Sequence, residues 1–126
     1  MSDRELVLIV EDNPRNLKLA RDVLNHAGYA TLEAANAEEG LELARQRRPG
    51  VVLLDIQLPG MDGIQALDRL RADPSTRDLP VIALTAFAMK ADRERFLAAG
   101  FDRYVAKPLD IHELRRQVAA ALETVV

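Results

Sequence analysis

Short apolar runs recur along this chain, and each stops on a residue able to bind or react. Leu6-Val7-Leu8-Ile9-Val10 stops at Glu11-Asp12, and Val51-Val52-Leu53-Leu54 stops at Asp55. Val81-Ile82-Ala83-Leu84 stops at Thr85, and Tyr104-Val105-Ala106 stops at Lys107-Pro108. Runs without polar alternation are the pattern of strands buried on both faces, which parallel sheets require. Open α/β sheets collect their ligand sites outside the carboxyl ends of such strands. Three carboxylates, a hydroxyl and a lysine are therefore expected at one sheet edge, a set suited to a divalent cation and a phosphoryl group.

Between the runs lie helical segments with start and stop signals. Asn13 is placed to cap a helix whose first position is Pro14, with Leu17, Ala20, Leu24 and Ala27 as its apolar stripe and Gly28 closing it. Tyr29 to Ala34 reads as a weaker strand. Asn36 with Glu39 resembles a capping box for a helix through Arg47, with Leu41 and Ala44 inward. Pro49-Gly50 is a turn. The loop from Ile56 to Gly63 leads to a helix over Ile64 to Arg71, with Leu67 and Leu70 inward. Ala86-Phe87-Ala88-Met89 is read as loop or first helical turn, Lys90 to Ala99 as helix ended by Gly100. Asp110 with Glu113 opens a last helix carrying Ile111, Leu114, Val118 and Leu122 on one face. Strand and helix alternate five times, so the expected fold is α/β: a doubly wound five-stranded parallel sheet of order 2-1-3-4-5.

Length and composition narrow the function classes. One domain is expected from 126 residues, spanning 1–126 with no effector domain. The chain has no cysteine, which removes disulfide frameworks and thiolate metal sites. Its net charge of −3, mixed in sign, gives no basis for nucleic acid as a main partner. No signal peptide is evident and no run approaches the ~20 apolar residues of a membrane span, so the cytoplasm is the expected location and no membrane is expected as partner.

Magnesium takes hard oxygen ligands and keeps several waters. Asp12, Asp55 and a backbone carbonyl just past Asp55 would make a half-shell for it, with Glu11 joining directly or through water. Clustered carboxylates repel one another, so at least one should have a raised pKa. Lys107 would ease that repulsion and then neutralise a phosphoryl oxygen, and Thr85 can donate to the same group. Taken singly, Asp12 is more simply a helix-start acid, Asp55 a loop acid, Thr85 a turn hydroxyl and Lys107 a surface cation. Their joint occurrence at four strand ends favours a site.

In this order and spacing, Glu11-Asp12, Asp55, Thr85-Ala86 and Lys107-Pro108 resemble the receiver domain of two-component response regulators. The resemblance covers essentially the whole chain and includes Leu58-Pro59-Gly60-Met61-Asp62-Gly63. It implies that Asp55 is the phosphoacceptor and that Glu11, Asp12, Asp55 and the Gln57 backbone carbonyl bind Mg2+. It also implies that Thr85 and Lys107 contact the phosphoryl group and that Tyr104 is an aromatic switch. Asp55 to Pro59 and Thr85 to Lys90 are similar to stand-alone receivers of the DivK cell-cycle type and to receivers attached to hybrid kinases. The implied function is that of a phosphoacceptor signalling protein, not an enzyme in the ordinary sense, which assists its own phosphorylation and dephosphorylation. The implied partners are a sensor histidine kinase or histidine phosphotransfer protein, and a downstream protein reading the face of the fourth helix, fifth strand and fifth helix. A cis bond is expected at Lys107-Pro108, because the lysine must turn back toward the site directly after its strand and an X-Pro bond makes cis accessible.

Other residues weigh less. His26 and His112 lie in plain helical contexts, so the phosphoryl donor should be another protein. Arg45, Arg47 and Arg48 read as a solvated helix end. Lys90, Arg93 and Arg95 divide evenly between solvated helix and partner surface, while Asp62 and Asp68 read as loop and helix surface. An aspartate-based phosphohydrolase would need a second acid two residues after Asp55, where Gln57 stands. A flavodoxin-like phosphate loop after the first strand would be repelled by Glu11-Asp12. A phosphorylation-independent docking module is the remaining alternative; loss of an acid or the lysine is its usual mark, and none is lost here.

Overall fold

The computed structural model describes residues 5–86 and 89–123. Five strands, β1 (Leu6–Val10), β2 (Ala30–Ala34), β3 (Val51–Asp55), β4 (Val81–Thr85) and β5 (Arg103–Ala106), alternate with five helices. The helices are α1 (Pro14–His26), α2 (Ala37–Arg47), α3 (Gly63–Ala72), α4 (Lys90–Ala99) and α5 (Ile111–Glu123). All strand pairs are parallel, in the order β2-β1-β3-β4-β5. The expected doubly wound sheet is what forms. Phe87 and Ala88, part of the segment read as loop or helical turn, lie outside the described residues.

Strand periodicity divides the core in two. Leu8, Val10, Val52, Leu54, Val81 and Ala83 face Ala44 of α2, Leu67 and Leu70 of α3 and Phe96 of α4. Val7, Ile9, Val51, Leu53, Ile82, Leu84 and Val105 face Leu24 of α1 and Leu114 and Val118 of α5. Every residue of β3 and β4 is buried, which accounts for their unbroken apolar sequences. Because β1 sends its following helix to one face and β3 to the other, a crevice opens between their carboxyl ends.

Helix starts follow their local chemistry. The Asn13 side chain accepts from the N–H groups of Arg15 and Asn16, and the Asp110 carboxylate accepts from Glu113 N–H at 2.9 Å. Asn36 accepts from Glu39 N–H at 2.8 Å, but the Glu39 carboxylate returns to Ala35 N–H, one residue before the cap. Asp62, read from sequence as a loop acid, makes the complete capping box with Gln65, so α3 starts at Gly63 and not Ile64. Below the sheet, Arg71 ties three segments together. It donates to the carbonyls of Arg77, Leu79 and Gly100 and to the Asp102 carboxylate, which also accepts from Val81 N–H.

Candidate metal and phosphoryl site

The crevice holds the acids where the strands end. Glu11 follows β1 and is fully buried, Asp55 closes β3 and is almost as buried, and Asp12 is exposed beside them. One carboxylate oxygen from each lies within 4.8 Å of the other two. Glu11 is fixed twice: its backbone N–H donates to Ala34 O at 3.0 Å, and its Oε2 accepts from Asn13 N–H at 3.1 Å. Asn13 therefore both caps α1 and orients an acid, a role its sequence position gave no reason to expect. Asp55 is fixed on both oxygens, Oδ1 by Gln57 N–H at 3.0 Å and Oδ2 by Lys107 Nζ at 2.9 Å.

Lys107 reaches the acids from the end of β5. Its backbone N–H donates to Thr85 O at 2.8 Å, joining the ends of β4 and β5, and the Lys107-Pro108 bond is cis. Its ammonium also stands 2.8 Å from Glu11 Oε1. One ammonium is thus shared between two buried carboxylates, Glu11 and Asp55. Burial, then the neighbouring Asp55, pushes the Glu11 carboxyl up to about 7, with Lys107 and Asn13 N–H pulling the other way. Burial works against the Lys107 ammonium, yet Glu11 and Asp55 outweigh it and hold the lysine above its usual value.

The donor set fits magnesium on these grounds. Three hard carboxylates converge, two of them buried, and a single ammonium is left to balance them. Gln57 is exposed at the mouth, directly after the Asp55-Ile56 peptide. That peptide is held from behind by Gly63, whose N–H donates to Ile56 O at 2.9 Å. A Cβ on Gly63 would lie 2.5 Å from Asp55 O and 2.7 Å from Ile56 Cα, so only glycine allows α3 to pack this close. The sequence signal was present, a glycine directly after a capping aspartate, but nothing in the pattern says what the missing side chain makes room for.

Thr85 is buried at the end of β4. Tyr104 is half-buried on β5, with Ala83 as its register partner and Thr85 opposite Ala106. His26 and His112 are exposed, at the end of α1 and the start of α5. Arg45 pairs with Glu42 and Asp73. The arginines of α4 differ from each other: Arg95 stacks 5.1 Å from the Phe96 ring, and Arg93 turns to Tyr104.

A parallel sheet of this order with an acidic crevice and an opposing lysine is the architecture of a phosphoacceptor signalling domain. The chain belongs to the response regulator receiver domain family, whose sequence profile matches residues 7–119. It is 47% identical over 105 residues to the polar-differentiation response regulator DivK of Brucella anthropi, covering 83% of this chain and 85% of that one. The DivK protein of Brucella ovis is 45% identical over the same length. Among solved structures, the receiver domain of a sensor histidine kinase from Pseudomonas aeruginosa superposes with a TM-score of 0.88 at 35% identity, covering 97% of this chain and 100% of that one. That structure holds a magnesium ion in its active-site cleft. A chemotaxis response regulator of Vibrio cholerae, 24% identical, shares the fold with a TM-score of 0.89 over 95% of this chain and 100% of its own. No helix among the described residues is long and apolar enough to cross a membrane.

Proposed function

We propose that this protein is a single-domain response regulator that takes a phosphoryl group onto Asp55 from a histidine kinase or phosphotransfer protein in the cytoplasm. The observation that carries the reading is the shared hold on Asp55: Gln57 N–H on one oxygen and Lys107 on the other, with Glu11 and Asp12 within ligand distance. Glu11, Asp12, Asp55 and the Gln57 carbonyl would hold Mg2+, which would supply charge neutralisation for a dianionic phosphoryl group approaching an anionic carboxylate. The Asp55 carboxylate attacks phosphorus, the new O–P bond forms as the N–P bond to the donor histidine breaks, and the electron pair returns to that imidazole. Lys107 then passes from the carboxylate to a phosphoryl oxygen, and the Thr85 hydroxyl donates to another. The same groups assist loss of the phosphoryl group to water.

Output goes through the face of α4, β5 and α5. In this reading Thr85 moves toward the new oxygens, and the Tyr104 ring follows along the face of β4 that carries Ala83 and Thr85. The two arrangements must lie within a few kcal/mol of each other for one phosphoryl group to shift their populations. The exposed Leu97 of α4, which lines one surface cleft with Tyr104 of β5 and Glu113 and Gln117 of α5, suits a protein partner.

Incubation with Mg2+ and a small phosphodonor should add one acid-stable, base-labile phosphoryl group. Asp55→Asn, which keeps the shape and removes the nucleophile, should add none. Equal labelling of that variant would refute the assignment.

A further inference from the structure

Arg93 leaves the usual course of a helix-surface cation. From α4 it reaches β5, where its Nη1 donates to the Tyr104 hydroxyl at 2.8 Å and its guanidinium carbon lies 5.6 Å from the ring centroid. Its Nε is buried without a hydrogen-bond partner. Among the described residues no carboxylate forms an ion pair with it, although Lys18, Arg21, Arg45, Arg71, Arg95 and Arg116 each have one. A guanidinium that buries an unpaired donor is destabilised there. Its contacts to Tyr104 oppose that penalty, and both depend on where the ring lies.

We propose that Arg93 is a positioning residue that latches the Tyr104 ring in the unphosphorylated state, so that phosphorylation must work against the latch. The inference rests on the Thr85–Tyr104 coupling proposed above and names what sets its resting balance. A ring that moves along β4 toward Thr85 must give up the hydroxyl contact and the cation–π contact together. The Asp55 site and the α4 surface are then linked by one free energy, and linkage is reciprocal. Whatever frees the ring should tighten binding of a phosphoryl group at Asp55. Breaking the latch also returns a charged guanidinium to the output face, so the face differs between states in charge as well as in shape.

The test uses beryllofluoride with Mg2+ as the phosphoryl mimic and tyrosines carrying 13C in the ring, with Tyr29→Phe to assign the two signals. Arg93→Ala should bind beryllofluoride about fivefold more tightly than wild type, because the lost cation–π contact and hydrogen bond are partly offset by removal of the buried, unpaired Nε. Its unliganded Tyr104 signals should lie part-way toward the wild-type liganded positions. Arg93→Lys, a cation without the fork, should fall between. Arg95→Ala removes the neighbouring stacked arginine and should leave affinity unchanged; equal tightening there would mean general loosening of α4 and would overturn the latch. Wild-type affinity in Arg93→Ala, with Tyr104 signals still moving on binding, would overturn the latch and leave the coupling intact. Tyr104 signals that never move in wild type would overturn the coupling, and the latch with it.

Discussion

Magnesium binding should be a proton-release reaction at and below neutral pH, and Glu11 is the reason. Its carboxyl stands near 7 in the folded, metal-free protein against 4.5 ordinarily. At about 1.4 kcal/mol per pH unit, that difference corresponds to about 3 kcal/mol. A folded-state value above the unfolded one means stability that is complete below pH ~4.5 and lost as pH rises through 7. The metal-free protein should therefore become less stable between pH 5.5 and 8, a window above the ordinary carboxylates and below the raised Lys107. Magnesium reverses the sign, because a cation stabilises the ionised acid. Below pH 7 it must displace the proton, so affinity should fall about tenfold per pH unit. Calorimetric titrations at pH 6 in two buffers of different ionisation enthalpy should show close to one proton released per ion, and almost none at pH 8. Glu11→Gln should abolish the release, flatten the stability profile of the metal-free protein and weaken magnesium binding at pH 8. Magnesium binding at pH 6 without proton release, or release that persists in Glu11→Gln, would refute the reasoning.

Two substitutions separate the site from the scaffold. Gly63→Ala improves helix propensity by up to about 1 kcal/mol, yet its Cβ meets backbone atoms of Asp55 and Ile56 that cannot swing aside. It should destabilise by about 1–3 kcal/mol in urea titrations and slow labelling of Asp55 in the fraction that remains folded. Arg71→Met leaves three carbonyls and the Asp102 carboxylate without their shared donor. It should cost about 1–3 kcal/mol in the same titration while leaving magnesium affinity unchanged, since those groups lie at the far ends of the strands.

Strand identity was legible in the chain because burial on both faces removes polar alternation, and Val51 to Leu54 and Val81 to Leu84 are short β-branched-rich runs bounded by Pro49-Gly50 and Pro80. The candidate site residues were legible for the same reason. A polar side chain that directly ends a buried run must sit at the sheet's carboxyl edge, so chain direction brings Glu11, Asp55, Thr85 and Lys107 to one edge, where the strand order lets Glu11, Asp55 and Lys107 meet. Caps at Asn13, Asn36 and Asp110 were also readable, since their partners lie within four residues. What the chain could not disclose depends on residues far apart in sequence approaching to within a few ångströms. The raised Glu11 carboxyl comes from its burial and from Asp55, against the opposing pull of Lys107, 96 positions away. Gly63 matters because the Asp55 carbonyl lies behind it, and Arg71 because three carbonyls from two connections meet around its guanidinium. Arg93 shows the limit most clearly. Its sequence context, a charged helix between Lys90 and Arg95, describes a solvated face or a partner surface, and only packing of α4 against β5 turns that cation onto Tyr104. Local pattern determines which face a residue takes and where an element stops, because those follow from backbone period and nearest-neighbour hydrogen bonds. Charge state, close approach and the partner of a long flexible side chain are decided by the tertiary fold, because each is a property of the space between elements.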